Sequence, residues 1–127
     1  YGVVALAVDS LPARLLVNEA CVRTGVPMID GGVDGMHGSL TTVLPGRTAC
    51  LNCLYGGMEP PERPIPSFAP VVSAVSAMEA QACADVLLGL PNPSEGALVL
   101  YDGASLTLDH VRVRRRDDCP VCGPVRG

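Results

Sequence analysis

Four cysteines carry the most specific chemistry in this chain, as two Cys-x-x-Cys pairs, Cys50 with Cys53 and Cys119 with Cys122. Thiolates are what zinc takes in closed tetrahedral sites, and two such pairs far apart in sequence are a usual way of holding one ion. Tight turns can present both: Cys50-Leu51-Asn52-Cys53 follows Pro45-Gly46, and Pro120 lies inside the second pair. Four thiolates leave no coordination place for water or substrate, so the zinc is expected to be structural. Two competing chemistries use the same residues. Disulfides would suit a secreted domain, but 127 residues with 48% hydrophobic content can bury a core without covalent staples. No signal peptide is visible either, so a cytoplasmic protein is expected. An iron–sulfur cluster also takes four thiolates, yet pairs separated by about 65 residues fit zinc better than clustered ferredoxin runs. Cys21 and Cys83 lie in amphipathic segments without a basic neighbour and read as small buried hydrophobes.

The other chemical candidates are oxygen ligands and cations. Asp9 and Ser10 follow an apolar run and precede a helical pattern, where a carboxylate either meets a ligand or caps the helix. His37 has no partner at metal-ligand spacing and reads as an ordinary loop histidine. Gly31, Gly32, Gly35 and Gly38 precede a strand rather than a helix, so they do not form a phosphate loop; bends or close backbone approach are expected. Arg112, Arg114, Arg115 and Arg116 precede Asp117 and Asp118 and read as a solvated strand end.

These residues are positioned by an expected succession of elements. Residues 3–8 form a buried strand, Ser10 or Asp9 caps a helix running to about Arg23, and Gly25 with Pro27 stops it before a strand over 27–31. Leu11, Leu15, Asn18 and Val22, with Leu16 and Ala20 beside them, make that helix's inward stripe. This is a βαβ unit, whose ligands collect at the carboxyl end of the first strand, where Asp9 lies. A strand over 39–44 follows, then a surface crossover loop over 56–70 containing Pro60, Pro61, Pro64, Pro66 and Pro70. Pro70 opens a second helix with Val71, Val75, Met78, Ala82 and Val86 inward, Glu79 and Asp85 outward, and Gly89 as its stop. Two strands over 97–101 and 106–114 close the chain, joined at Asp102-Gly103, with a bulge near Asp109 where the apolar phase slips.

Length bounds the chain to one domain, and a net charge of −4 gives no support for nucleic-acid binding. No uninterrupted apolar stretch reaches the ~20 residues a membrane helix needs, so no membrane partner is expected. Tyr1 enters directly into an apolar run, which suggests a chain cut from something longer, its missing part N-terminal.

As a set, these residues resemble the C-terminal half of the ThiF/MoeB/HesA group of ubiquitin-activating-like adenylating enzymes. The resemblance is carried by Asp9-Ser10 with Arg14, Asn18-Glu19-Ala20-Cys21, Gly25-Val26-Pro27, Gly35-Met36-His37-Gly38, Cys50-Leu51-Asn52-Cys53-Leu54, Pro70-Val71-Val72, Tyr101-Asp102 and Cys119-Pro120-Val121-Cys122-Gly123. It implies an α/β fold with a mixed sheet and flanking helices, three-layer-like, the C-terminal half of a Rossmann-like domain stapled by zinc. It also implies adenylation, with ATP and magnesium, of the C-terminal carboxylate of a ubiquitin-like or sulfur-carrier protein, and a homodimer. Asp9 would help hold magnesium and nucleotide, with Ser10 where the family has Asn. Ile65 stands where some members carry a loop cysteine, so thioester or acyl-disulfide chemistry there is not expected. The glycine-rich loop and the Arg and Lys that grip phosphates belong to the other half, and this chain has no lysine, so alone it should not catalyse. The alternatives are a non-catalytic zinc-stabilised binding or dimerisation module, and adenylation of a peptide or a tRNA base.

Overall fold

The computed structural model describes residues 2–6, 10–60 and 62–123. Eight elements follow in chain order: β1 (Val4–Ala5), α1 (Leu11–Thr24), β2 (Met28–Asp34), β3 (His37–Val43), α2 (Leu51–Tyr55), α3 (Ala69–Leu88), β4 (Ala97–Asp102) and β5 (Thr107–Arg112). The strands form one sheet in the order β1-β2-β3-β4-β5. β1 and β2 are parallel and the other pairs antiparallel, so β1, α1 and β2 make the expected βαβ unit.

Local chemistry sets the helix ends. The Ser10 hydroxyl accepts the Ala13 amide at 3.3 Å, satisfying one of α1's orphan donors. Gly25 ends the helix in the left-handed region at φ +74, where a side chain would be strained. α3 has Pro70 in its first turn and Gly89 as its C-cap.

Alternation along the strands sorts the core into two layers. Met28 and Val43 pack with Cys21, Val22, Leu51 and the cysteine pairs on one face. Ile29, Leu40 and Val99 pack with Ala82 of α3 on the other. The result is a mixed sheet between α1 with the cysteine cluster and α3, the architecture the sequence implied.

Several details depart from expectation. β1 is a half-buried edge strand rather than a fully buried one, and Ala7, Val8 and Asp9 lie outside the described residues. β2 continues through Gly31 and Gly32 to Asp34, so the glycine stretch is a hairpin closed by Gly35 and Met36. A Cβ at Gly31 would collide with Glu79 and Val75 of α3. The β4–β5 register is regular from Ala97↔Arg112 to Asp102↔Thr107, without the expected bulge, and the connection is a four-residue turn. Every residue of β5 is exposed, so no buried face enforces an apolar phase and its slip signifies nothing. Leu16, placed beside the stripe, is 70% exposed. Asp85 is buried rather than outward, its Oδ1 accepting from Gln81 at 2.9 Å, and Glu79 is half-buried over Gly31.

α3 has no uninterrupted apolar run of about 20 residues, as expected, because Glu79, Gln81 and Asp85 interrupt it, yet it is long and apolar enough by composition to cross a membrane. Its mean hydropathy reaches 1.4 over an 18-residue window; Val71, Val75 and Ala82 are buried where it packs on β2 and β3.

Candidate functional site

The cysteine pairs come from two turns. Cys50 is the N-cap of α2, so Cys53 returns one helical turn later with its amide donating to the Cys50 carbonyl at 3.1 Å. Cys119 opens a tight turn closed by the Gly123 amide on its carbonyl at 2.9 Å. The four sulfurs lie within 4.8 Å of one another, with Cys50 to Cys119 at 3.7 Å and Cys53 to Cys122 at 3.3 Å. A tetrahedral ion with sulfur ligands at about 2.3 Å sets sulfur–sulfur edges of about 3.8 Å, so this cluster is the size of a zinc site. None of the four is in a disulfide.

The surroundings favour an anionic sulfur at Cys119 and oppose it at Cys50 and Cys122. The Cys122 amide and the Asn52 side chain donate to Cys119 Sγ at 3.5 and 3.8 Å. Burial opposes ionisation of Cys119, yet the backbone amides of Cys122 and Val121 bring its pKa down to about 6. Burial raises the Cys50 and Cys122 thiols, and coulombic repulsion from neighbouring cysteines adds to it. Close-packed thiols cannot all ionise without a cation between them, which is what a divalent metal supplies. A second observation fits the same ion. Asn18 is fully buried and its Oδ1 accepts the Leu51 amide at 2.9 Å, but its Nδ2 has no partner and faces Cys50, whose thiolate it favours. Such an amide is the outer contact a metal-bound thiolate would satisfy. Arg115 is not a solvated strand end: it donates to the Cys122 carbonyl and, at 3.0 Å, to that of Gly46, joining the last turn to the turn before α2.

A polar cluster adjoins this clasp. Arg14 donates from Nε and Nη2 to both carboxylate oxygens of Asp30, the Nε bond at 3.0 Å, and lies over the Tyr55 ring at 5.2 Å. Asp30 is 1% exposed and the Arg14 side chain 17%. Burial disfavours the Arg14 charge, but Asp30 outweighs it and holds the guanidinium protonated. Burial, then the Asp30 charge, pushes the Tyr55 hydroxyl up. Arg14 and Glu79 line one cavity of about 570 Å³ with Leu6, Gly31, Gly32, Val33, the α3 residues Val72, Val75 and Ser76, and Ile65 and Ser67 of the crossover loop. The loop is tied there by Gly35 N–H to the Pro66 carbonyl at 2.9 Å and by Arg63 to Asp34 at 3.2 Å.

The four cysteines are thus brought together. Ser10 caps α1, Asp9 lies outside the described residues, and His37 is exposed with Asp102 at 3.9 Å. Asp30 and Tyr55 were not singled out by sequence, and Glu79 was read only as facing solvent. Asp30 carried a signal, since a carboxylate following Met28-Ile29 in a strand is rarely buried without a partner.

The ThiF family pattern matches residues 1–121. Protein HesA of Leptolyngbya boryana is 40% identical over 114 residues, 87% of this chain and 40% of HesA. The adenylyltransferase and sulfurtransferase MOCS3 of Drosophila persimilis is 32% identical over 96% of this chain and 28% of that protein. Among solved structures, the microcin C7 biosynthetic enzyme MccB in complex with N-formylated MccA superposes with a TM-score of 0.80 at 21% identity, over 96% of this chain and 41% of MccB, a likeness of fold. The chain therefore spans less than half the length of these relatives.

Proposed function

The chain belongs to the ThiF family, and on that premise we propose that it is part of an ATP-dependent adenylyltransferase that activates the C-terminal carboxylate of a ubiquitin-like or sulfur-carrier protein. The observation that carries this reading is Arg14, fixed by Asp30 and Tyr55 and lining a cavity beside the start of α1. In a βαβ unit this is where ligands gather, and an immobilised guanidinium there suits an anion.

In the proposed reaction the carboxylate attacks the α-phosphorus of ATP, an acyl adenylate forms and pyrophosphate leaves. Arg14 orients the substrate anion by hydrogen bonding, while Asp30 balances its charge and keeps its fork from swinging. Asp9 is proposed to hold magnesium and nucleotide with a hard oxygen ligand, and Ser10 to lie beside it. Cys50, Cys53, Cys119 and Cys122 would hold zinc, which supplies cross-linking of α2 to the last turn and no chemistry on the substrate. The crossover loop, tied over the cavity, is proposed to guide the incoming tail. We also place the protein in the cytoplasm, with a second copy covering the exposed Leu100 and Val111, which share the sheet face opposite α3.

A second reading is favoured by Ser10, whose hydroxyl is used in capping α1: a zinc-stabilised binding module without catalysis. Peptide substrates are a variant of the first reading, since MccB is bound to N-formylated MccA. ATP–pyrophosphate exchange by the full-length protein, tested with carrier and peptide substrates, decides among them. Exchange dependent on one substrate supports adenylation, whereas a folded protein that binds a carrier but never exchanges supports the module.

A further inference from the structure

Glu79 and Arg14 approach the same cavity from opposite faces of the sheet, separated by Gly31 and Gly32, which have no side chains to shield them. Arg14 is already neutralised by Asp30 in a two-pronged pair. Among the described residues of the cavity wall the charge balance is therefore set by Glu79: zero when its carboxyl is protonated, −1 when it is ionised. An entering carboxylate meets repulsion only in the second state. Resting on the adenylation reading, we propose that Glu79 is a specificity-determining residue that admits an anionic substrate end to Arg14 only when it carries a proton, so that binding takes up a proton.

Among the described residues, the groups facing Glu79 are Asp30 from β2, Arg14 from α1 and Cys83 on its own helix. Burial first, then the Asp30 charge, raise Glu79 to about 7 against the opposing Arg14, so the switch lies in the range of ordinary cellular pH. Folding supports the arrangement. Gly31 leaves the space the carboxyl occupies, and Val75 and Ser76 of the same helix line the cavity beside it.

The test is an NMR titration of the full-length protein with N-acetylglycine, the smallest peptide-like carboxylate, and with its uncharged amide, at pH 6 and pH 8. The carboxylate is expected to bind about tenfold more tightly at pH 6, the ratio a single linked proton near 7 imposes, and the amide equally at both. Glu79→Gln should bind the carboxylate at both pH values as the wild type does at pH 6. In the wild type, the carbon-13 titration midpoint of Glu79 should rise on saturation with N-acetylglycine, a readout needing no variant. Equal carboxylate binding at the two pH values, no carboxylate binding at all, a pH dependence that survives Glu79→Gln, or an unmoved midpoint would each overturn the inference. Pyrophosphate exchange on the same protein separates this from the reading beneath it. Exchange without the proton linkage removes only Glu79's role, whereas linked binding without exchange removes adenylation.

Discussion

Asp30 is buried with a single cationic partner, and its loss would leave the Arg14 guanidinium in a poor environment with nothing to offset its charge. Asp30→Asn is expected to cost about 3 kcal/mol in urea denaturation, the scale of breaking a buried pair from one side. An unchanged midpoint would mean that Arg14 relaxes into solvent. Glu79 acts on stability in the other sense. Its folded pKa of about 7 lies above its unfolded value, so its contribution is fully present below the unfolded pKa and is lost as pH rises between about 4.5 and 7. Because the side chain is half-buried, screening reduces the effect to about 1 to 2 kcal/mol. Glu79→Gln should therefore lose that part of the decline in stability from pH 5 to pH 8, as measured by thermal denaturation across the range. The cysteines were legible in sequence because metal spacing is a local pattern. Asp30 and Glu79 were not, because their significance depends on a helix and a strand meeting across Gly31.

Elements show the same division between local and long-range information. α1 was legible almost to the residue, since Ser10 and Gly25 are local signals for its two ends. Ser10→Ala should accordingly cost about 1 kcal/mol by chemical denaturation, and no change would show that the first turn is held by tertiary contacts instead. β5 was legible only as a strand. It pairs with β4 alone and buries no face, so its register had to come from the ladder and turn. The inward set of α3 was read correctly at Val71, Val75 and Ala82, but Asp85 was misplaced because Gln81 satisfies its carboxylate from within the helix. Gly31→Ala tests how closely α3 rides on β2. The added methyl has no room beside Glu79 and Val75, and a loss of about 1 to 3 kcal/mol is expected from overpacking; a neutral substitution would show that the helix can shift.

At the scale of the molecule, the clasp and α1 share one core cluster, in which Cys50, Cys119 and Cys122 pack with Cys21, Val22 and Met28. Asn18 joins α1 to the first residue of α2, and Arg14, one turn earlier, lines the cavity. The clasp therefore sets the orientation of the helix that carries the anion-facing guanidinium, although it takes no part in the chemistry itself. The fold was legible because its βαβ unit and cysteine spacing are regular, whereas the cavity emerges only where α1, β2, α3 and the crossover loop converge. Pyrophosphate exchange by the full-length protein, followed through zinc removal and restoration, tests this dependence most directly. The account predicts one zinc per chain, exchange that disappears with unfolding when the metal is chelated, and its return when zinc is restored. A metal-free, fully reduced protein that stays folded and exchanges at the undiminished rate would contradict it.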